Sequence, residues 1–170
     1  MEEKGIINKV ANSGIITIDL EDIIPDKKVS LIDIQDQLFQ GLILREKDFR
    51  TFISEHDWSQ YQDHRVAVFC STDAIIPTWA YMLLTKALEP HTTEIYFCKQ
   101  ESLDHLVAER AIAELDASSY ADARVVIKGC GERQISNHAF VSLSTKLMPY
   151  VKSLMFGEPC STVPIYKKKV

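Results

Sequence analysis

No run of apolar residues in this chain is long enough to cross a bilayer, which takes about 20 of them. The opening Met1-Glu-Glu-Lys-Gly lacks the basic segment and apolar stretch of a secretory signal. Membranes are therefore not an expected partner, and the cytosol is the expected compartment. Basic charge is also short. The 19 Lys and Arg residues are outnumbered by 24 Asp and Glu, for a net charge of -5, so non-specific nucleic-acid binding is not expected. No low-complexity linker, internal repeat or shift of composition divides the 170 residues, a length that suits one domain over 1–170. Common site signatures are missing: there is no P-loop, no His-Glu-x-x-His and no Gly-x-Ser-x-Gly elbow. Gly129-Cys-Gly-Glu-Arg-Gln lacks the third glycine of a dinucleotide fingerprint.

What is present is a regular alternation. Ile15-Ile-Thr-Ile-Asp-Leu and Val29-Ser-Leu-Ile-Asp-Ile read as strands by their β-branched content, paired as a hairpin or set as edge strands. Gly5-Ile-Ile-Asn-Lys-Val before them reads as a short helical turn. Leu38, Leu42, Phe49, Phe52 and Ile53 predict one long helix over 35–55. Its charge-dense stretch, Arg45 to Arg50, reads as a solvated face with local ion pairs. Strands at 65–70, 94–98 and 124–128 then alternate with helices at 76–88, 102–115 and 137–156, the last broken at Pro149. Such βα units imply a parallel sheet. The expected fold is a Rossmann-like, three-layer α/β domain with a parallel sheet and a small N-terminal β-hairpin or edge-strand extension. The basic tail Pro164-Ile-Tyr-Lys-Lys-Lys-Val reads as a solvated terminus.

Four cysteines remain to be placed. Cys70, Cys98 and Cys130 each follow an expected strand, so in one parallel sheet they would share the rim where α/β folds bind ligands. Cys98 sits closer to its strand than Cys130 does and reads as a small core side chain. Cys70 precedes Ser71-Thr72-Asp73 and a helix, with Asp73 either a helix cap or a ligand. Cys130 lies between Gly129 and Gly131, where glycines let backbone amides approach a cluster or an anion. Cys160 lies in a loop stiffened by Pro159 and Pro164. Three thiolates, Cys70, Cys130 and Cys160, would leave a fourth position for a tetrahedral metal, with Asp73, His138 or His105 to complete it. The spacing is not a Cys-x-x-Cys signature. Zinc and an iron–sulfur cluster are both compatible with thiolates. The alternative is a nucleophilic cysteine, such as Cys130 with His138 as its base. A third possibility is an interaction protein that docks through the 35–55 helix and Phe49, Phe52 and Trp58.

Four stretches carry a family resemblance: 38–50, 70–82, Ile127-Lys-Gly-Cys-Gly131 and 157–167. The chain resembles, over nearly its whole length, the bacterial family catalogued as domain of unknown function 2480. That family brings no established activity. The resemblance implies genes near those of iron–sulfur assembly, and with them iron–sulfur assembly proteins as partners. Cys70, Cys130 and Cys160 fall inside the shared stretches and Cys98 outside them. The expected function is an accessory of iron–sulfur cluster assembly that binds a metal or cluster through thiolates. The alternatives are a cysteine-dependent sulfur- or acyl-transfer enzyme and a non-catalytic interaction domain. A homodimer is a plausible assembly.

Overall fold

The computed structural model describes residues 14–128, 131–158 and 161–169. In chain order its elements are β1 (Ile15–Ile18), α1 (Leu20–Ile23), β2 (Val29–Asp33), β3 (Leu38–Phe39), β4 (Ile43–Leu44), α2 (Glu46–Glu55), β5 (Arg65–Phe69), α3 (Thr78–Leu88), β6 (Ile95–Phe97), α4 (Gln100–Glu114), β7 (Arg124–Ile127), α5 (Asn137–Leu147), β8 (Ser153–Glu158) and β9 (Ser161–Lys167). Single 3-10 turns cover Ile34–Gln37, Trp58–Tyr61 and Ala117–Tyr120. The chain falls into a continuous unit, Asp26–Leu106, and a split unit formed by Met1–Pro25 and Val107–Val170. The fold is mixed α/β with parallel strands, as the alternation implies. No helix of the described residues is long and apolar enough to cross a membrane.

In the continuous unit the strands run in the order β2-β5-β6, all parallel, with Val29 opposite Arg65 and Val66 opposite Ile95. Val66, Ala67 and Val68 are all buried, as a central parallel strand covered on both faces must be. Ala80, Leu84 and Leu88 recur at i, i+4 and i+8 along α3, which puts them on one face. They join Phe49 of α2 and Ile32, Val66 and Val68 of the sheet in a single core.

The split unit repeats this plan. Its strands run β1-β7-β8 in parallel, and β9 is added antiparallel to β8. Val125, Val126 and Ile127 are buried in β7, and Ala139, Leu143 and Leu147 are buried along α5 at the α3 spacing.

The two units are related by a constant spacing of 59 positions, the distance from Asp57 to Asp116. Both aspartates open a 3-10 turn, and both accept a hydrogen bond from the backbone N–H two residues on, Ser59 or Ser118, at 3.0 Å. Each also accepts one from that serine's hydroxyl at 2.6 Å. Asp63 and Asp122 then adopt left-handed backbone, φ 59° and 55°. The N–H of Asp63 donates to the His91 carbonyl as that of Asp122 donates to the Tyr150 carbonyl. Arg65 and Arg124 start the strands, Leu84 and Leu143 sit mid-helix, and Pro90 and Pro149 follow both helices. The edge strands match as well. Asp33, the last residue of β2, and Asp19, directly after β1, each accept from the N–H two residues on, at 3.0 Å.

Several expectations are corrected. The chain does contain an internal repeat. Its strands do not share one sheet, because β5 and β6 lie in one and β7 in another. Of the two alternatives for β1 and β2 the edge-strand one holds, each at the edge of a different sheet. The helix expected over 35–55 starts only at Glu46, because Gln40 (φ 53°) and Gly41 (φ 70°) turn the chain left-handed between β3 and β4. The helix expected to run on past Pro149 gives way to β8. The tail is β9, whose Pro164 is tolerated at a sheet edge where the register shifts. The helical turn expected over 5–10 lies outside the described residues.

Candidate functional site

The C-terminal ends of β1 and β7 frame a cavity of about 680 Å³ in the split unit. Asp19, directly after β1, caps the turn of α1 and so has one oxygen fixed on the Glu21 N–H. Its other oxygen accepts from Lys128 Nζ at 2.6 Å, directly after β7. That ammonium holds the Asp19 carboxyl below its ordinary range, and the carboxylate in turn raises Lys128. Glu21 reaches across to accept the Arg133 backbone N–H at 2.7 Å, while the Arg133 guanidinium donates to the Ile24 carbonyl. The crossing depends on Gly131, where a Cβ would stand 2.0 Å from Glu21 Oε1. Asn137, Phe140 and Phe156 add a polar and an aromatic wall. Two carboxylates, Asp19 and Glu21, and two cations, Lys128 and Arg133, thus line one cavity.

The corresponding rim of the continuous unit surrounds its one aspartate with neutral partners. Asp33 accepts from the Ser71 and Gln35 N–H groups at 3.0 Å each. Burial pushes this carboxyl up, but the hydrogen bonds from Ser71 and Gln35 outweigh it and hold it below its ordinary value. Thr72 Oγ1 donates to Gln35 Oε1 at 3.0 Å, in the way Glu21 crosses to Arg133. Cys70 Sγ donates to the Thr72 carbonyl at 3.5 Å and packs against the core. Because α3 begins only at Thr78, Cys70 is not at a helix N-terminus, and Pro77, not Asp73, is the cap. Cys98 is half-buried, and burial pushes its thiol up, in keeping with a core side chain.

The remaining candidates divide as follows. Asp73 and His105 are exposed in the continuous unit. His138 is half-buried near the start of α5, with Nε2 3.1 Å from Glu109 Oε1 and 3.5 Å from Ser142 Oγ. Cys130 and Cys160 lie outside the described residues. Among the described residues no three His, Cys, Asp or Glu side chains converge as a metal site. Asp19, Glu21, Lys128 and Arg133 were missed by reading the sequence. Their only signal was the repeated strand ending, Ile18-Asp19-Leu-Glu21 against Ile32-Asp33-Ile-Gln35. The aromatics of the expected docking helix are mainly core, with Phe49 and Trp58 buried. Its charges are solvated and locally paired, Arg50 with Glu46 at 2.8 Å.

No curated protein and no solved structure matches this chain. A family model described as "Protein of unknown function (DUF2480)" matches residues 4–168. Nearly the whole length is covered, and the chain belongs to that family.

Proposed function

We propose that this protein holds a metal ion or an iron–sulfur cluster on cysteine thiolates and serves, in the cytosol, as an accessory to iron–sulfur assembly proteins. One observation carries the reading. Each of the four cysteines follows the C-terminal end of a parallel strand by three residues or fewer: Cys70 after β5, Cys98 after β6, Cys130 after β7 and Cys160 after β8. Strand ends are where open α/β sheets present ligand-binding groups. Cys130 and Cys160, which follow the neighbouring strands β7 and β8 of the split unit, are the principal ligands in this reading. The cations Lys128 and Arg133, two positions before and three after Cys130 in the chain, line the cavity and would offset thiolate charge. His138, oriented by the Glu109 carboxylate as metal-binding histidines commonly are, is the favoured completing ligand.

A second reading has one observation in its favour. The same two cations, next to a Gly-Cys-Gly loop, would also suit a nucleophilic Cys130 in sulfur or acyl transfer. One experiment separates the two. Protein purified without oxygen is assayed for metal and acid-labile sulfide, beside a Cys70→Ser, Cys130→Ser, Cys160→Ser variant. Stoichiometric zinc, or iron with sulfide, that is lost in the folded variant supports the metal reading. Metal-free wild-type protein with one thiol that labels well below the pH needed for the others supports the nucleophile. Metal-free protein with four equally sluggish thiols refutes both.

A further inference from the structure

At the opposite end of the split unit's sheet, away from the cysteine-bearing rim, a cavity of about 700 Å³ lies over the start of β7 and β8. Arg124 of β7 stands opposite Ser153 of β8, and Ser153 stands opposite Lys167 of β9. Side chains directly opposite one another share a face, on strands about 4.8 Å apart. A guanidinium and an ammonium therefore flank one small hydroxyl, and Lys152 adds a third cation to the lining. Like charges in such a row oppose one another. Among the described lining residues the acid is Asp122, which pairs with Lys168 at 3.2 Å.

The continuous unit shows what the same row accommodates. There Arg65 starts β5, and Glu94 occupies the repeat position of Ser153, 59 positions before it. Arg65 donates to one Glu94 oxygen at 2.6 Å, and Lys27 pairs with the other at 2.5 Å. The chain's own carboxylate fills this place in one unit, and a serine under open volume replaces it in the other. We propose that the cavity over Ser153 binds the oxyanion of a small molecule, a carboxylate or a phosphate, between Arg124 and Lys167. A guanidinium carries five donors, so Arg124 can serve this ligand alongside its other interactions. The Ser153 hydroxyl supplies a further donor. Met155, Pro164 and Tyr166 offer an apolar wall for the body attached to the anion. This site is independent of the thiolate reading.

The test titrates inorganic phosphate and, separately, butyrate into the full chain at low ionic strength, followed calorimetrically. The expected result is saturable binding of at least one probe that weakens as salt is raised. Ser153→Glu, which places the carboxylate of Glu94 in the split unit, should weaken binding by about tenfold or more, and Lys167→Glu should do the same. Both variants should keep the wild-type circular dichroism spectrum. Cys130→Ser with Cys160→Ser should leave binding unchanged, which separates this site from the rim above. A preference for phosphate assigns a phosphate ester, and a preference for butyrate assigns a carboxylic acid. Failure of the wild type to bind either probe saturably would overturn the proposal, as would binding of unchanged strength in both glutamate variants.

Discussion

Glu94→Gln tests the ion triad that sets the two units apart. The Arg65 side chain is 7% exposed and Glu94 17%, whereas Lys27 is 35% exposed. Removing one partner of a buried pair leaves the other charge uncompensated, at a cost of roughly 3–5 kcal/mol. The Lys27 contact is the more solvated of the two and adds at most about 1 kcal/mol. Glutamine keeps the shape and one acceptor, so the expected loss lies at the low end, about 3 kcal/mol. For a chain of this size that lowers the melting temperature by roughly 6–12 °C. Urea and thermal unfolding at pH 7 measure both. The pH dependence has a definite sign. Burial pushes the Glu94 carboxyl up, but Lys27 and Arg65 outweigh it and hold it below its ordinary value of 4.5. The ionised triad therefore stabilises the protein above that value, and the benefit is lost as pH falls through the lowered folded-state value. The gap between wild type and variant should be full at pH 7 and shrink in acid. A variant within about 0.5 kcal/mol of wild type at pH 7, or a gap that persists undiminished at the lowest pH at which both still fold, would refute the reasoning.

Leu84→Ala and Leu143→Ala remove fully buried side chains at equivalent positions of α3 and α5 and should each cost about 2–5 kcal/mol by denaturant unfolding. Hydrogen exchange should then rise first in residues 26–106 for Leu84→Ala and in residues 107–169 for Leu143→Ala; exchange that rises equally in both would count against two units with separate cores. Gly157→Ala meets a left-handed backbone, φ 117°, and a Cβ only 2.7 Å from the Ser161 carbonyl oxygen. It should destabilise by more than about 1 kcal/mol and speed exchange across β8 and β9, and a neutral outcome would contradict the hairpin geometry.

Much of the architecture was legible where burial is uniform. β5 and β7 announced themselves as short β-branched runs, because parallel strands covered on both faces leave no polar positions to blur the pattern. α4 was legible from Leu103, Val107 and Ile112, which are buried as their spacing implied. The repeat was not legible, because its identities are scattered single positions: Asp57, Ser59 and Asp63 recur as Asp116, Ser118 and Asp122 and Leu84 recurs as Leu143, but Trp58 becomes Ala117 and Phe49 becomes Ala108. The false helix over 35–55 arose because Leu38 and Leu42 fit a helical period while Gly41 stands between them. Leu42 is in fact 65% exposed. The helix expected beyond Pro149 failed similarly, since Leu154, Met155 and Phe156 suit a strand as well as a helix. The rim residues Asp19, Glu21, Lys128 and Arg133 gave no signal of convergence. More than 100 positions separate the first pair from the second, and only the pairing of β1 with β7 brings them together.

That same pairing constrains how the chain can be made. Ile15 bonds beside Arg124, so β1, once it has left the ribosome, must wait for a partner that emerges 109 residues later. At ordinary elongation rates the delay is roughly 5–20 s. The continuous unit owns all its strands within Asp26–Leu106 and can close during that interval. Synthesis from the N-terminus would thus complete the later-starting half first. A release experiment with nascent chains stalled near residue 140 should find residues 26–106 resistant to protease while β1 is still cleavable.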